Sequence, residues 1–434
     1  MRTPRPHLPS RGALFVESGR RGNLERLGLP FLLHLRCEYF INRLNLLTSS
    51  LAAIAAQVAS PSPLKRTIAR QRASGTRGVG CLVLPGGGAR GAYEAGVIEG
   101  IRERGGVGDG AQLPGVDLVV GTSIGAINGW FVATAQYSQL KALWHTIAAE
   151  NLFQVKRQFR AIRQPSSGIL TRVYEAARLS QGLTSNVAGL LDGAPVQGWL
   201  DRHIDPTTPL VVPLLFTCTN LQLHRSEIFY RLPTAAMAAE RNREADRVQA
   251  VLGTRITSRE LTDATVTAAL AGSSATPILF DPVTITFPEG AQTYIDGGIA
   301  DSAPLDIARA LSTHVQLVLV EPAKPANHTY ASAASIGLAA FAIAQNRLLE
   351  TSLRSAYLET AGKRLFGDES LTEQQRAFFQ NVFDVEIGLI RPSREITLEF
   401  DGFDDAPGIA ATYEAGRIAG NSGFIPYDAG KAFA

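Results

Sequence analysis

The residues best suited to chemistry in this chain are a serine, an aspartate and a run of glycines, each at a turn. Ser123 is the centre of Gly121-Thr122-Ser123-Ile124-Gly125, a G-x-S-x-G sequence. Between a strand and a helix, such a turn lifts the serine Oγ above the carboxyl ends of the strands. Its flanking glycines let the two backbones approach, and the following helix aims its positive end at developing negative charge. Upstream, Gly86-Gly87-Gly88-Ala89-Arg90-Gly91 admits several readings. Gly86, Gly88 and Gly91 satisfy the dinucleotide fingerprint, but that reading wants an acid closing the second strand to hold a ribose, and Asp117 stands at the start of that strand. A P-loop fails because no Gly-Lys-Ser/Thr follows. An oxyanion hole, in which consecutive small residues point their N–H groups at a tetrahedral oxygen, alone makes use of Ser123. A tight turn with no chemistry stands beside these three.

A nucleophilic serine needs a base, and the candidate is Asp296 in Tyr294-Ile295-Asp296-Gly297-Gly298. Gly297 and Gly298 let the chain turn sharply away and leave the carboxylate above the sheet. Taken alone, Asp-Gly-Gly is an ordinary turn; the two motifs before it turn Asp296 into a candidate base. The seven His, at 7, 34, 145, 203, 224, 314 and 328, show no metal-ligand spacing with one another or with Cys, and no metal or other cofactor is expected.

Those turns need elements to hold them. From Val79 onward, apolar runs alternate with turns and helical stretches, the βαβ pattern that implies a mainly parallel sheet covered on both faces. Strands are expected at Cys81–Leu84, at Leu118–Val120, at Leu210–Thr217, at Val283–Phe287, at Gln292–Ile295 and at Val315–Val320. Helices are expected at 92–103, 126–143, 234–251, 258–271 and 332–361. Ala331–Ala344 reads as a helix buried against the sheet or, less simply, as an interfacial one, and Trp130 and Phe131 read as packing under the serine turn. The stretch 144–210 has no clear strand and reads as a lid or as helices on the sheet.

Composition frames these elements. The chain has 434 residues, 45% hydrophobic and 19% charged, an ordinary globular profile that excludes wholesale disorder. Three Cys cannot form a disulfide framework, which points to a reduced, cytoplasmic compartment. Net charge is +3 but uneven: residues 1–78 hold 13 Lys or Arg against 3 acids, a balance of +10, so the remainder (29 against 36) carries −7. An acidic body excludes a generic nucleic-acid footprint. Only the N-terminal stretch, with its apolar region 29–58 and a linker at 60–78, could meet an anionic membrane surface, and a poorly ordered extension or a helix packed on the core is the plainer reading of it. Its best uncharged run, 44–64, starts too late for a secretory signal and is too polar for a membrane span.

The three motifs together, in this order and at this wide spacing, resemble the patatin-like phospholipase family. Weaker echoes are Ala271-Gly272-Ser273-Ser274-Ala275-Thr276-Pro277 with Leu279-Phe280, Ala303-Pro304-Leu305, and Ile390-Arg391-Pro392-Ser393. The resemblance covers about 79–420. It implies a Rossmann-like α/β three-layer sandwich with a mainly parallel central sheet, and a calcium-free lipid acyl-ester hydrolase of the phospholipase A or lysophospholipase type. By that resemblance Ser123 is the nucleophile, Asp296 the general base and the Gly87, Gly88 and Ala89 amides the oxyanion donors. Arg90 sits beside the site, as a guide for a lipid phosphate or carboxylate or as a salt bridge holding the loop. The expected organisation is a basic extension and linker at 1–78, a hydrolase core at 79–325 and a helical and strand extension packed on the core at 326–434. The alternatives are an ordinary α/β-hydrolase triad, for which only His314 and His328 follow the serine suitably, a nucleotide-binding oxidoreductase, and a binding protein on the same scaffold. Oligomeric state is not legible.

Overall fold

The computed structural model describes residues 79–150, 152, 154, 189, 191–233, 257–277, 279–321, 333–366, 385–394 and 396–427, all within one compact unit, Ile54–Ala434. The basic stretch 1–78, the helix expected at 234–251, His328 and much of 144–210 lie outside the described residues. The elements run β1 (Gly80–Leu84), α1 (Gly91–Gly105), β2 (Leu118–Thr122), α2 (Ile124–Ala133), α3 (Tyr137–Thr146) and α4 (Ala194–His203). There follow β3 (Leu214–Asn220), β4 (Arg225–Arg231), β5 (Thr257–Glu260), α5 (Val266–Ser273), β6 (Val283–Phe287) and β7 (Gly290–Asp296). The chain then adds α6 (Leu305–Leu311), β8 (His314–Val318), α7 (Ala333–Phe366), β9 (Glu386–Ile390), α8 (Ala406–Ser422) and β10 (Ile425–Pro426).

The ten strands form one mixed sheet in the order β10-β9-β8-β1-β2-β3-β4-β5, with β7 on β3 and β6 on β7. Its central run β9-β8-β1-β2-β3 is parallel throughout. Every residue of β1, β2 and β3 is buried, as strands covered on both faces must be. Strand alternation divides the core in two: Leu82 and Leu84 face the α1, α2 and α3 layer, whereas Cys81 and Val83 face Leu305, Ile307 and Leu311 of α6 and Leu349 and Leu353 of α7. The protein is therefore a three-layer α/β sandwich. Trp130 and Phe131 are fully buried in the first layer.

The structure departs from the sequence expectations in five places. The single helix expected over 126–143 is two helices, because the chain turns through Ala135 in a left-handed conformation (φ 52°) between α2 and α3. Residues 257–260 form an outer strand paired with β4, where a helix was expected over 258–271; only 266–273 are helical. The strand expected at 210–217 runs over 214–220. The strand expected at 315–320 starts one residue earlier, at His314, whose N–H donates to the Val79 carbonyl at 3.0 Å. In α7 the small apolar stretch is partly open to solvent, with Ile343 58% exposed, and among the side chains described from 339 onward the first buried one is Gln345, followed by Leu349 and Leu353.

Candidate active site

Two strands meet end to end on one edge of β3. Because β4 covers the other edge of β3 along its whole length, β2 and β7 share the remaining one. β2 pairs with it in parallel up to Thr122↔Thr217, and β7 pairs antiparallel from Cys218↔Asp296 onward. The next residue after β2 is Ser123, and the last residue of β7 is Asp296. Residues 173 positions apart are thus brought into contact by strand register alone.

Ser123 carries the whole turn between β2 and α2. Its φ of 55° and ψ of −127° are a conformation L-residues rarely adopt, storing about 1–3 kcal/mol of strain. The turn is possible because a Cβ at Gly125 would run into the Leu84 carbonyl oxygen and one at Gly121 would lie 2.6 Å from the Gly125 oxygen. The Ser123 N–H donates to Ser273 Oγ at 2.9 Å, and Ser273 Oγ in turn donates to the Thr217 carbonyl at 2.7 Å. Ser123 Oγ donates to Asp296 Oδ2 at 2.7 Å.

Asp296 is wholly buried, and both of its oxygens are engaged. Oδ2 also accepts from Thr276 Oγ1 at 3.1 Å, while Oδ1 accepts from the Gly298 N–H at 2.8 Å. The main chain is fixed as well: the Asp296 N–H donates to Ala275 O at 2.9 Å, and Thr219 Oγ1 donates to the Asp296 carbonyl at 2.9 Å. Burial pushes the carboxyl up to about 6, against the downward pull of its hydrogen bonds from Ser123, Gly298 and Thr276. A Cβ at Gly297 would strike the Thr217 carbonyl, so the chain can leave Asp296 along this path only without a side chain there.

The glycine loop lies directly on the serine. A Cβ at Gly86 would be 3.1 Å from Ser123 Cβ, and one at Gly91 would strike Ile124. Gly88 has φ 58° and opens a short 3-10 turn, Gly88–Arg90, leading into α1. The Gly87 and Gly88 N–H groups have no hydrogen-bond partner among the described residues. The Ala89 N–H donates to the Phe400 carbonyl at 2.8 Å, and that oxygen fills the space a Gly88 side chain would take. Arg90 anchors the same segment: Nε donates to the Leu398 carbonyl at 2.9 Å, and the guanidinium is ion-paired with Glu321. Phe400 meets Phe341 edge-on and Phe403 stacks on Trp144, with ring centroids 6.2 Å apart in both pairs. Residues 398–403 thus form a strap across the loop.

Ser123 opens onto a cavity of about 50 Å³ lined by Ile124, Ile127, Ile147, Trp199, Leu279 and Phe403 among others. Asp401 lines it too, its carboxyl pushed up to about 6 by burial and by Glu399 and Asp404. Two contributors were visible in sequence only as a stretch of small residues, Ser273 and Thr276; their signal is a hydroxyl at each turn end of an otherwise apolar segment. Nothing in the sequence singles out Phe400, which acts through its backbone.

Other expected groups lie elsewhere. His314 pairs with Gly80 at the amino-terminal edge of the sheet, about 20 Å along the strands from the level of Ser123. It contacts Glu386 at 3.2 Å instead. Asp117 Oδ2 accepts from the Gly80 N–H at 2.7 Å, again at the start of β2 rather than at its end. Among the described residues, no group of three or more His, Cys, Asp or Glu could hold a metal ion, and no helix is long and apolar enough to cross a membrane.

The family model described as patatin-like phospholipase matches residues 82–309, more than half of the chain and inclusive of all three motifs. No curated protein matches. Among solved structures, VipD from Legionella pneumophila is similar at 14% identity, over 81% of this chain and 68% of that one, with a TM-score of 0.30.

Proposed function

The chain belongs to the patatin-like phospholipase family, which marks it as a lipid-hydrolysing enzyme, and on that premise we propose that Ser123 and Asp296 are a catalytic dyad cleaving carboxylic esters of lipids through an acyl-enzyme. The observation that carries this reading is the 2.7 Å hydrogen bond from Ser123 Oγ to a fully buried carboxylate. As Oγ attacks the ester carbonyl, its proton passes to Asp296 Oδ2. The alcohol leaves with that proton, and Asp296 then takes a proton from the water that attacks the acyl-enzyme and returns it to Ser123 Oγ as the fatty acid is released. An ordinary aspartate, titrating near 3.9, is a weak base at neutral pH; one raised to about 6 is closer to matched. No imidazole is needed.

The oxygen of the tetrahedral intermediate would be held by the Gly87, Gly88 and Ala89 amides. In the present arrangement the Phe400 carbonyl already occupies the Ala89 N–H, as a carbonyl oxygen accepting the bond that the ester would accept. Substrate must therefore displace the strap, and the acyl chain would enter the space that Phe403 and its neighbours now narrow. An alkyl fluorophosphonate should label wild type and spare Ser123→Ala; equal labelling of both would sink the assignment. The anionic-membrane contact proposed for residues 1–78 is tested separately, by vesicle sedimentation with and without them; a difference that vanishes in high salt is expected.

A further inference from the structure

The motif Ile390-Arg391-Pro392-Ser393 has no part in the dyad's surroundings, yet it borders a second cavity. This cavity, of about 830 Å³, is lined by β9, β10, α8 and the residues after β9. Its volume falls within the range of about 300–1,000 Å³ seen for pockets that enclose small molecules. The walls are largely aliphatic, with Leu389, Ile396, Ala411, Ala415 and Ile418.

Three polar groups at this cavity are unsatisfied. Arg391 is half-buried and makes no hydrogen bond or ion pair among the described residues. Tyr93, 1% exposed, and Tyr427 both line the cavity, and each has a buried hydroxyl with no hydrogen-bond partner among the described residues. Burial pulls the guanidinium below its ordinary value; Tyr427 and Glu350 act the other way, but Glu350 is bound to Arg347 at 2.7 Å. A half-buried cation among aliphatic walls, with two idle hydroxyls beside it, is stabilised when an anion completes the set.

We propose that this cavity binds a single-chain anionic amphiphile, its carboxylate or phosphate at Arg391 and Tyr427 and its tail along Ile396, Ala415 and Ile418. Of the two arginines at this cavity, Arg394 is exposed and Arg391 is half-buried, and the one half-buried cation calls for one anionic head. At about 30 Å³ per heavy atom the space holds on the order of 28 atoms, enough for an eighteen-carbon acid and too few for a two-chain phospholipid. The site rests on the cavity alone and is independent of the roles given to Ser123 and Asp296.

The test is titration calorimetry on the full chain carrying Ser123→Ala, with oleate, oleoyl lysophosphatidate and oleyl alcohol as probes below their aggregation limits. At least one anion should bind tenfold or more tightly than the alcohol, and the tighter of the two identifies the head group. Arg391→Met should bring anion binding down to the level of the alcohol while raising the thermal midpoint of the ligand-free chain, because it removes an unpaired, half-buried charge. Ala415→Trp should abolish binding of all three. Should that variant fail to fold, Arg391→Met with Tyr427→Phe still decides the matter. Alcohol binding as tight as the anions, anion binding indifferent to Arg391→Met, or a lowered midpoint in that variant would overturn the proposal.

Discussion

The cavity at Ser123 and the cavity at Arg391 differ in nearly every physical respect. The first holds about 50 Å³, and the Ser123 hydroxyl and both Asp296 oxygens at it are already bonded. The second holds about 830 Å³ and keeps Arg391 and two tyrosine hydroxyls without partners. A reacting pair gains from being locked before substrate arrives, since donors fixed in advance need no reorganisation at the moment of reaction. A binding cavity gains from the reverse, groups whose bonds only the ligand completes. Side chains bonded to one another at the first cavity, where only the Gly87 and Gly88 N–H groups stay open, and unpartnered side chains at the second are what a site proposed for chemistry and a site proposed for recognition would each need.

The largest expected effect breaks the saturated site while leaving its bonds in place. In Asp296→Asn, the amide oxygen can still accept from the Gly298 N–H, and the amide nitrogen can donate to Ser123 and Thr276, so folding is preserved. Turnover should fall on the order of 10⁴-fold, as expected when one member of a catalytic unit is removed. The same variant should be more stable at pH 7. A carboxyl raised from 3.8 to about 6 contributes stability that is complete below about 3.8 and lost as pH rises through about 6, so its ionised form costs about 3 kcal/mol at neutral pH. Denaturant titration checks the gain, and a destabilised, active Asn variant would refute both halves.

Next in size is the oxyanion loop. Gly88→Ala places a methyl group where the Phe400 carbonyl, or an ester oxygen, must come, and it does so at φ 58°, where a Cβ costs about 1–2 kcal/mol. With donors worth about 3–4 kcal/mol misaimed, turnover should drop about a hundredfold with the fold retained. A folded variant with unchanged kcat/KM on a p-nitrophenyl ester would leave the loop a turn without chemistry.

A smaller effect is the pH profile of acylation. In its proposed role as base Asp296 would act only when ionised, so the single-turnover rate should be level above about pH 6 and fall tenfold per unit below it. Asp401, also pushed up to about 6, borders the same cavity, so the profile must be repeated in Asp401→Asn. A limb that disappears in that variant would belong to the strap and not to the dyad.

Much of this site was legible in sequence because its parts are local. A turn through Ser123 needs glycine at 121 and 125, and an acid followed by two glycines marks a sharp exit from a strand; both leave their mark within five residues. What brings Ser123 to Asp296 is nonlocal: β2 and β7 take successive halves of one edge of β3, a register no short window contains. β5 was misread because Thr257–Glu260 has no apolar alternation, being an outer strand paired on one side to β4. β9, which lies between β8 and β10, and the edge strand β10 also escaped notice, and β10 has only two residues. The Phe400 contact is harder still, because a backbone carbonyl has no residue type.

The smallest expected effect concerns how firmly the strap is held, and it decides whether the saturated site is closed or merely supported. Phe403 stacks on Trp144 and borders the cavity, while Phe400 places its carbonyl on the Ala89 N–H. An aromatic pair of this kind contributes about 0.5–1.5 kcal/mol beyond its buried area, so removing it should shift the balance between closed and open strap by about two- to twelvefold. If the Phe400 carbonyl occupies the place of the ester oxygen, Phe403→Ala releases it, and a short soluble fluorophosphonate should label Ser123 faster by a factor within that range. The strap could instead position the Gly-rich loop, since Arg90 ties the two together through Leu398. In that case loosening it would slow labelling. The two outcomes differ in sign, and the rate of Ser123 modification in wild type and Phe403→Ala, compared at equal probe concentration on folded protein, separates a closing strap from a scaffold.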